Sequence, residues 1–597
     1  MLRNSLIISS LIKIRRALPG QMQRKGVLIL GLSLLNSLLE LAGLGALLPV
    51  LLMTLDEEAL APDRTLGRLY QWLNPGSEVA FFLIISLAIL VLMLGKHVVS
   101  ILIIRKQARF SYSVFSYLNN QLMRLTYQRG YTHFLEHNSH KIIWDFYTIP
   151  LHCTQKVVLP LLNFANEVLM LLLIVVSLAF YNAGVFVLLL LFVGPAFVLF
   201  YRYVRNRILH VNTALNDLSP HIWNRLFELV FGYVDVKMTN SENRFFRAHH
   251  RNMDKQIGLS VRKYTLEALP ARVLELAVVL AVLTTIVYGL AVFENRSELL
   301  VLLGVLALAA YRTLPSFNRL MVAVLDIRGH QYTLDLIQQA SEPYTDLSDQ
   351  PKLAFEDRIA VEDLRYRYPN KEEWVLNGIG LEIRRGETIG LIGKSGSGKT
   401  TLVNVMLSLF EPAGGSIRVD GVLLDRSNLV AWRKCVGYVQ QEVYLLDSSL
   451  AENVAFGVDP EQIDEARLWD ALRRASLDTF VQGLAQGVHT PVGEGGCQLS
   501  GGQRQRIAIA RALYSGAEIL FFDEATSALD QETEQDITES IRQLSEQQLT
   551  LIIIAHRLTT LRHCDRILEL SQGQVIGERS YAELQEPQFA YTYSREA

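Results

Sequence analysis

The stretch Gly393-Lys394-Ser395-Gly396-Ser397-Gly398-Lys399-Thr400 decides how this chain is read. It fits G-x-x-x-x-G-K-[ST], the phosphate-binding P-loop. The run Thr388-Ile389-Gly390-Leu391-Ile392 before it predicts a strand. After it, Leu402, Val403, Met406, Leu407 and Leu409 recur with helical period. A strand therefore feeds a turn that opens a helix, the context the motif requires. Its glycines let the backbone approach an anion, and amide N–H groups at the positive helix end cradle it. Lys399 is placed to reach the β- and γ-phosphates of a nucleotide and Thr400 to hold Mg²⁺. Thr401 follows in the same helical turn and is counted with Gly393–Thr400 as nucleotide-binding.

Outward from this loop, composition splits the chain in two. Of 597 residues, 19% are charged and 50% hydrophobic, and nearly all long apolar runs lie before residue 325. A membrane half precedes a soluble half. The net charge of −2 gives no field that argues for nucleic acid. Cys153, Cys435, Cys497 and Cys564 form no C-x-x-C pair, so they predict free thiols rather than a zinc or redox site.

In the first half, residues 1–25 interleave Arg3, Lys13, Arg15, Arg16, Arg24 and Lys25 with apolar residues, which predicts an amphipathic helix on a cytoplasmic membrane face. Six spans are read by length, at 26–54, 79–104, 157–181, 183–204, 270–293 and 298–324. The segments 105–156 and 205–269 are long and rich in Arg and Lys, so they and both termini are placed in the cytoplasm. Both keep helical periodicity and are expected to reverse near 130–139 and 231–240. Between the first two spans, Leu66, Leu69, Tyr70 and Leu73 fall on one helical face beside Trp72, which predicts a short amphipathic helix at the outer surface. Ionisable residues inside spans are costly and so informative. Lys96, Arg272, Arg312 and Arg319 are candidates for a polar cavity that receives an anionic head group; the competing reading has some of them snorkel to the interface or pair internally with Glu40, Glu167 or Glu275.

The polar segment 336–350 predicts a linker, and 351–597 alternates strands and helices as an α/β domain does. Ile519-Leu520-Phe521-Phe522-Asp523-Glu524 is a buried strand ending in two acids, about 125 residues after the P-loop. Asp523 is expected to hold Mg²⁺ and Glu524 to polarise the attacking water. Leu499-Ser500-Gly501-Gly502-Gln503 opens a strong helix, a second helix N-terminus suited to phosphate. One nucleotide does not need two such sites in one domain. Two copies facing each other would use both.

Taken with the P-loop and the Asp-Glu strand, Leu-Ser-Gly-Gly-Gln resembles the signature of ABC transporter ATPases. Six spans followed by one ATPase are similar to an exporter-type half-transporter. The resemblance implies an all-α transmembrane domain of six helices (26–335) followed by an α/β P-loop NTPase domain of the ABC type (351–597). It also implies a homodimer, or a heterodimer with a related chain, that binds ATP with Mg²⁺ between its soluble halves. Ser500, Gly501, Gly502 and Gln503 would face the partner's ATP. Tyr368 resembles the aromatic that stacks on adenine. Gln441 resembles the glutamine that contacts Mg²⁺, with Gln440 as the other possible frame. Ser527-Ala528-Leu529-Asp530 resembles the D-loop, and His556 the histidine on the γ-phosphate. No catalytic position departs from the pattern, so hydrolysis is expected at both sites.

The tract Ala309–Arg319 and the outer helix resemble flippases of lipid-linked oligosaccharides. This implies a polyprenyl-pyrophosphate-linked glycan as substrate, membrane lipids as surroundings and a bacterial inner membrane as location. With only some 25 residues ahead of the first span, no leader-processing peptidase is expected there. A general exporter of lipids, drugs or peptides shares the same layout, and its cavity would be more apolar. An ATP-gated channel or regulator would more often carry a degenerate catalytic site.

Overall fold

The computed structural model describes residues 6–55, 60–181, 183–292, 296–339, 350–369, 371–524, 531–555 and 557–585. Two compact units result, the first formed mainly by residues before the segment 340–349 and the second mainly by residues after it.

The first unit is helical throughout. Helix α1 (Leu6–Ala17) leads into α2 (Gly20–Gly45) and α3 (Leu48–Leu55). The first expected span is thus broken at Ala46–Leu47, because Pro49 has no N–H for the carbonyl of Gly45 and its ring crowds the preceding turn. Then come α4 (Thr65–Leu73), α5 (Glu78–Gln128), α6 (Tyr131–Glu136), α7 (Ser139–Cys153), a π-helical turn at Thr154–Val158, and α8 (Leu159–Tyr181). The series ends with α9 (Ala183–Phe231), α10 (Tyr233–Met238), α11 (Glu242–Val292), α12 (Arg296–Gly329) and α13 (Gln331–Gln339). Among the described residues five helices are long and apolar enough to cross a membrane. The sixth expected crossing, 183–204, lies in the 49-residue α9. Helix α5 has 51 residues, about 77 Å at 1.5 Å per residue, against about 30 Å of hydrocarbon. The excess carries it far into the aqueous phase, and the two expected reversals hold the short helices α6 and α10.

Two expectations change in detail. Helix α1 is amphipathic, but part of its apolar side is covered by protein. Ile7, Ile14 and Leu18 join a core with Leu334 and Ile337 of α13 and Val114 of α5, and Lys13 pairs with Asp335. Leu11 and Ile12 remain exposed. Helix α13 also continues to residue 339, into the segment expected as linker. On α4, Tyr70 meets the buried Phe81 edge-on at 5.2 Å while Trp72 points out, 79% exposed. A Cβ at Gly67 would sit 2.0 Å from the carbonyl oxygen of Ala61, so only glycine lets α4 fold back this closely.

The second unit has two sheets. An antiparallel sheet of order β2-β1-β4-β5 contains β1 (Arg358–Tyr366), β2 (Leu376–Arg384), β4 (Gly414–Val419) and β5 (Val422–Leu423). A six-stranded sheet of order β10-β9-β3-β8-β7-β6 contains β3 (Thr388–Ile392), β6 (Val436–Val439), β7 (Ile519–Asp523), β8 (Thr550–Ile554), β9 (Arg566–Ser571) and β10 (Gln574–Arg579). Strands β9 to β6 run parallel, and β10 is the antiparallel edge. Every residue of β3, β7 and β8 is buried, as the unbroken apolar runs of central parallel strands require. The parallel register sets Leu391 beside Ile554, Ile554 beside Asp523, and Phe522 beside Val439. The carboxyl ends of β3, β8, β7 and β6 therefore share one edge, where ligands bind in open α/β sheets.

Candidate functional site

Strand β3 delivers the P-loop to that edge, and α14 (Lys399–Met406) continues from it. Gly393 and Gly398 have φ of +146° and +105°. A Cβ on Gly393 would sit 2.2 Å from the Leu570 carbonyl oxygen, so the loop needs glycine for conformation and for space. Lys399 is 5% exposed and curls back across the loop, where its Nζ donates to the carbonyls of Gly393 (2.8 Å) and Lys394 (3.2 Å). Burial draws its pKa below the usual lysine value, against the opposing pull of Glu524 and Asp523. The Ser397 hydroxyl is buried with no hydrogen-bond partner among the described residues. An orphaned donor in a glycine loop at a helix start fits a phosphate oxygen.

Strand β7 brings Asp523 beside this loop. Its Oδ1 accepts from Thr400 Oγ1 at 3.2 Å and its Oδ2 from Tyr438 Oη at 3.1 Å. Burial raises the Asp523 carboxyl, while the bonds from Tyr438 and Thr400 and the charge of Lys399 hold it down. Burial and the neighbouring carboxylate push the Tyr438 phenol upward. Thr400 and Asp523 present hard oxygens at hydrogen-bond separation, a donor set that fits Mg²⁺. Glu524 follows with φ +49°, a left-handed backbone that is strained for a residue with a Cβ. Its N–H is tied to the Ile554 carbonyl at 3.1 Å, so the chain turns sharply where the strand ends.

Tyr368 touches α14 through its hydroxyl, 3.3 Å from Thr401 Oγ1, and stands edge-on to Tyr366 and Phe410 at 5.4 and 5.7 Å. Gln441 is exposed just beyond β6. The Ser500 turn starts helix α19 (Gly501–Ser515) with a capping box: Gln503 N–H donates to Ser500 Oγ at 3.2 Å, and Ser500 N–H donates to Gln503 Oε1 at 2.8 Å. (Between α14 and α19 lie four short helices, α15 (Leu429–Arg433), α16 (Leu450–Val454), α17 (Glu465–Arg474) and α18 (Asp478–Gln482).) Asp530 and His556 lie outside the described residues. Helix α20 (Gln531–Glu546) begins just after Asp530, and its buried Glu534 accepts from Arg557 and, at 2.7 Å, from Thr559 Oγ1.

In the membrane unit, Arg312 of α12 pairs with Glu40 of α2. Arg319, two turns on, is bidentate to Glu167 of α8 at 2.5 and 3.2 Å. Arg272 pairs with Glu275 of its own helix at 3.1 Å, and both are exposed. Lys96 of α5 lies against Gly43 of α2, one turn from Glu40. Three of the four candidate cations thus hold the three carboxylates named as their alternative partners.

Sequence reading passed over Tyr438, Gln505, Arg511 and Glu534. The first three sit within or near recognised motifs, but their partners are 58 to 85 residues away in sequence.

Residues 376–527 match the family model described as ABC transporter. An ATP-dependent lipid A-core flippase of Francisella novicida is 32% identical over 415 residues, 68% of this chain and 69% of that protein. The chain belongs to the ABC transporter family. Another ATP-dependent lipid A-core flippase, from Cupriavidus metallidurans, is 45% identical over 227 residues, 38% of each chain. A solved bacterial Atm1-family ABC exporter with ATP bound shares the fold, with a TM-score of 0.77, 22% identity, and coverage of 97% of this chain and 98% of that one. This ABC exporter is an integral membrane half-transporter whose ATPase domain binds and hydrolyses ATP to drive transport.

Proposed function

We propose that this exporter is a flippase for an amphiphile with an anionic head group, a polyprenyl-pyrophosphate-linked oligosaccharide, working as a homodimer in a bacterial inner membrane. The observation that carries the reading is the pair of arginines Arg312 and Arg319 around Pro315, set against Glu40 and Glu167 within the membrane unit. Guanidinium groups in low dielectric are strong, bidentate receivers of phosphate. Lys96 beside Gly43 adds a third cation, whereas the exposed pairing of Arg272 within α11 leaves it the weakest member of the set.

In the ATPase domain, Gly393–Thr401 hold the phosphates, with Thr400, Asp523 and Gln441 toward Mg²⁺, which supplies charge neutralisation. Glu524 orients and deprotonates the attacking water, His556 contacts the γ-phosphate, and Tyr368 receives adenine. Ser500, Gly501, Gly502, Gln503 and Asp530 complete the partner's site. A second reading, transport of lipid A-core or another lipid, rests on the names of the relatives.

The test is flipping in proteoliposomes. Lipid-linked oligosaccharide is loaded, ATP and Mg²⁺ are added, and protection from an external glycan-modifying enzyme is scored, with Glu524→Gln as control. ATP-dependent protection that the control lacks supports the flippase reading. Unchanged accessibility beside robust ATPase activity defeats it and turns the same vesicles to lipid A.

A further inference from the structure

We infer that Gln505 is a positioning residue for ATP hydrolysis, fastening the segment that carries Gln441 to the helix that carries Ser500. Gln505 is 6% exposed and lies just past the first turn of α19. Its Nε2 donates to two consecutive carbonyls, Gln440 at 3.1 Å and Gln441 at 2.9 Å. Its Oε1 is buried with no partner among the described residues. That fixes the amide's orientation, since the flipped form would set its oxygen against both carbonyls. An orphaned buried acceptor is unfavourable, so packing of α19 alone would prefer an apolar side chain here. The residue's use is its two donors.

A second clasp lies two turns further along the same helix. Arg511 donates to the carbonyls of Asn453 (2.9 Å) and Tyr444 (3.1 Å). Segment 440–453 is therefore held to α19 at both ends. At its near end it continues from β6, whose Tyr438 bonds Asp523. One helix thus sets the backbone of Gln441 from one side while its own start presents the Ser500 turn. A displacement of either is passed to the other through the Gln505 amide, with the Arg511 clasp holding the far end.

The inference rests on the reading of Gln441 as a metal-side ligand, so Gln441→Ala is run in parallel. Full-length protein in nanodiscs is assayed for kcat, KM for ATP and thermal midpoint. Gln505→Met keeps volume and removes both the donors and the orphan acceptor. Its midpoint is expected to be equal or higher while kcat falls about tenfold, as the loss of one buried hydrogen bond's worth of positioning implies, with KM little changed. A merely structural residue would lower the midpoint together with turnover, whereas a positioning residue lowers kcat at an equal or higher midpoint with KM for ATP little changed. Turnover within twofold of the parent in folded Gln505→Met overturns the inference. Parental turnover in Gln441→Ala beside slow Gln505→Met overturns the reading of Gln441 as a metal-side ligand, and Gln505 then acts on the backbone of segment 440–441 rather than through that ligand.

Discussion

The two halves of this transporter keep their cations in opposite ways. In the ATPase domain Lys399 is held by two loop carbonyls, while the nearby Asp523 is occupied by Tyr438 and Thr400. In the membrane unit Arg312 and Arg319 each hold a full carboxylate, Glu40 and Glu167. Carbonyl dipoles do not cancel the lysine's charge as a paired carboxylate would, so an arriving phosphate keeps its attraction even against the pull of Asp523 and Glu524. A carboxylate cancels the arginine's charge, so a head group must exchange with it. The first arrangement suits a ligand bound at every cycle. The second keeps a charge in hydrocarbon while nothing is bound.

The largest expected effect tests the ATPase side. Glu524→Gln should lower turnover by about 100-fold or more, the scale of a lost general base, while ATP binding persists and the dimer stays closed. ATPase rates with nucleotide retention on a spin column decide it, and a parental rate would remove Glu524 from the chemistry.

Next comes the membrane side. Glu167→Leu leaves the half-exposed Arg319 without its carboxylate and should destabilise the unit by about 1 kcal/mol, whereas Glu167→Leu with Arg319→Leu should recover most of that. Melting in detergent reads both. Equal loss in the single and double variants would show that the pair is not a unit.

A smaller effect concerns Asp523. Tyr438→Phe removes a donor that holds the carboxyl down, so the group rises further and the acid limb of the ATPase profile moves to higher pH. The expected result is a loss of a few-fold near pH 6 that fades by pH 8. A uniform loss across pH would point to packing instead. Smallest of all, Arg272→Gln breaks an exposed i,i+3 pair and should change stability by about 0.5 kcal/mol or less. A large loss of transport in that variant would place Arg272 with Arg312 and Arg319 after all.

What was legible in the sequence follows the same division. The P-loop was readable because a backbone at φ +146° and +105° admits little but glycine, and the strand before Asp523 because central parallel strands must be apolar throughout. Spans were readable by length. The break at Ala46–Leu47 was not, because Pro49 lies in a run as apolar as its neighbours. The docking of α1 on α13 was not, since an amphipathic face looks alike whether lipid or protein covers it. The ion pairs appeared only as a pool of partners, and Gln505 only as one of several glutamines, because pairing across 65 or 152 residues is set by tertiary approach.

Helix α5 runs 51 residues with no proline, while α9 holds Pro195 and Pro220 and α11 holds Pro270. Proline removes a rung of the hydrogen-bond ladder and concentrates bending there. Mechanically, α5 is a stiff rod and the other two long helices are jointed. A tilt of about 5° about one end of a 77 Å rod carries the other end about 7 Å. Small angular play at the aqueous end is thereby enough to open or shut a gap the width of an acyl chain at the other.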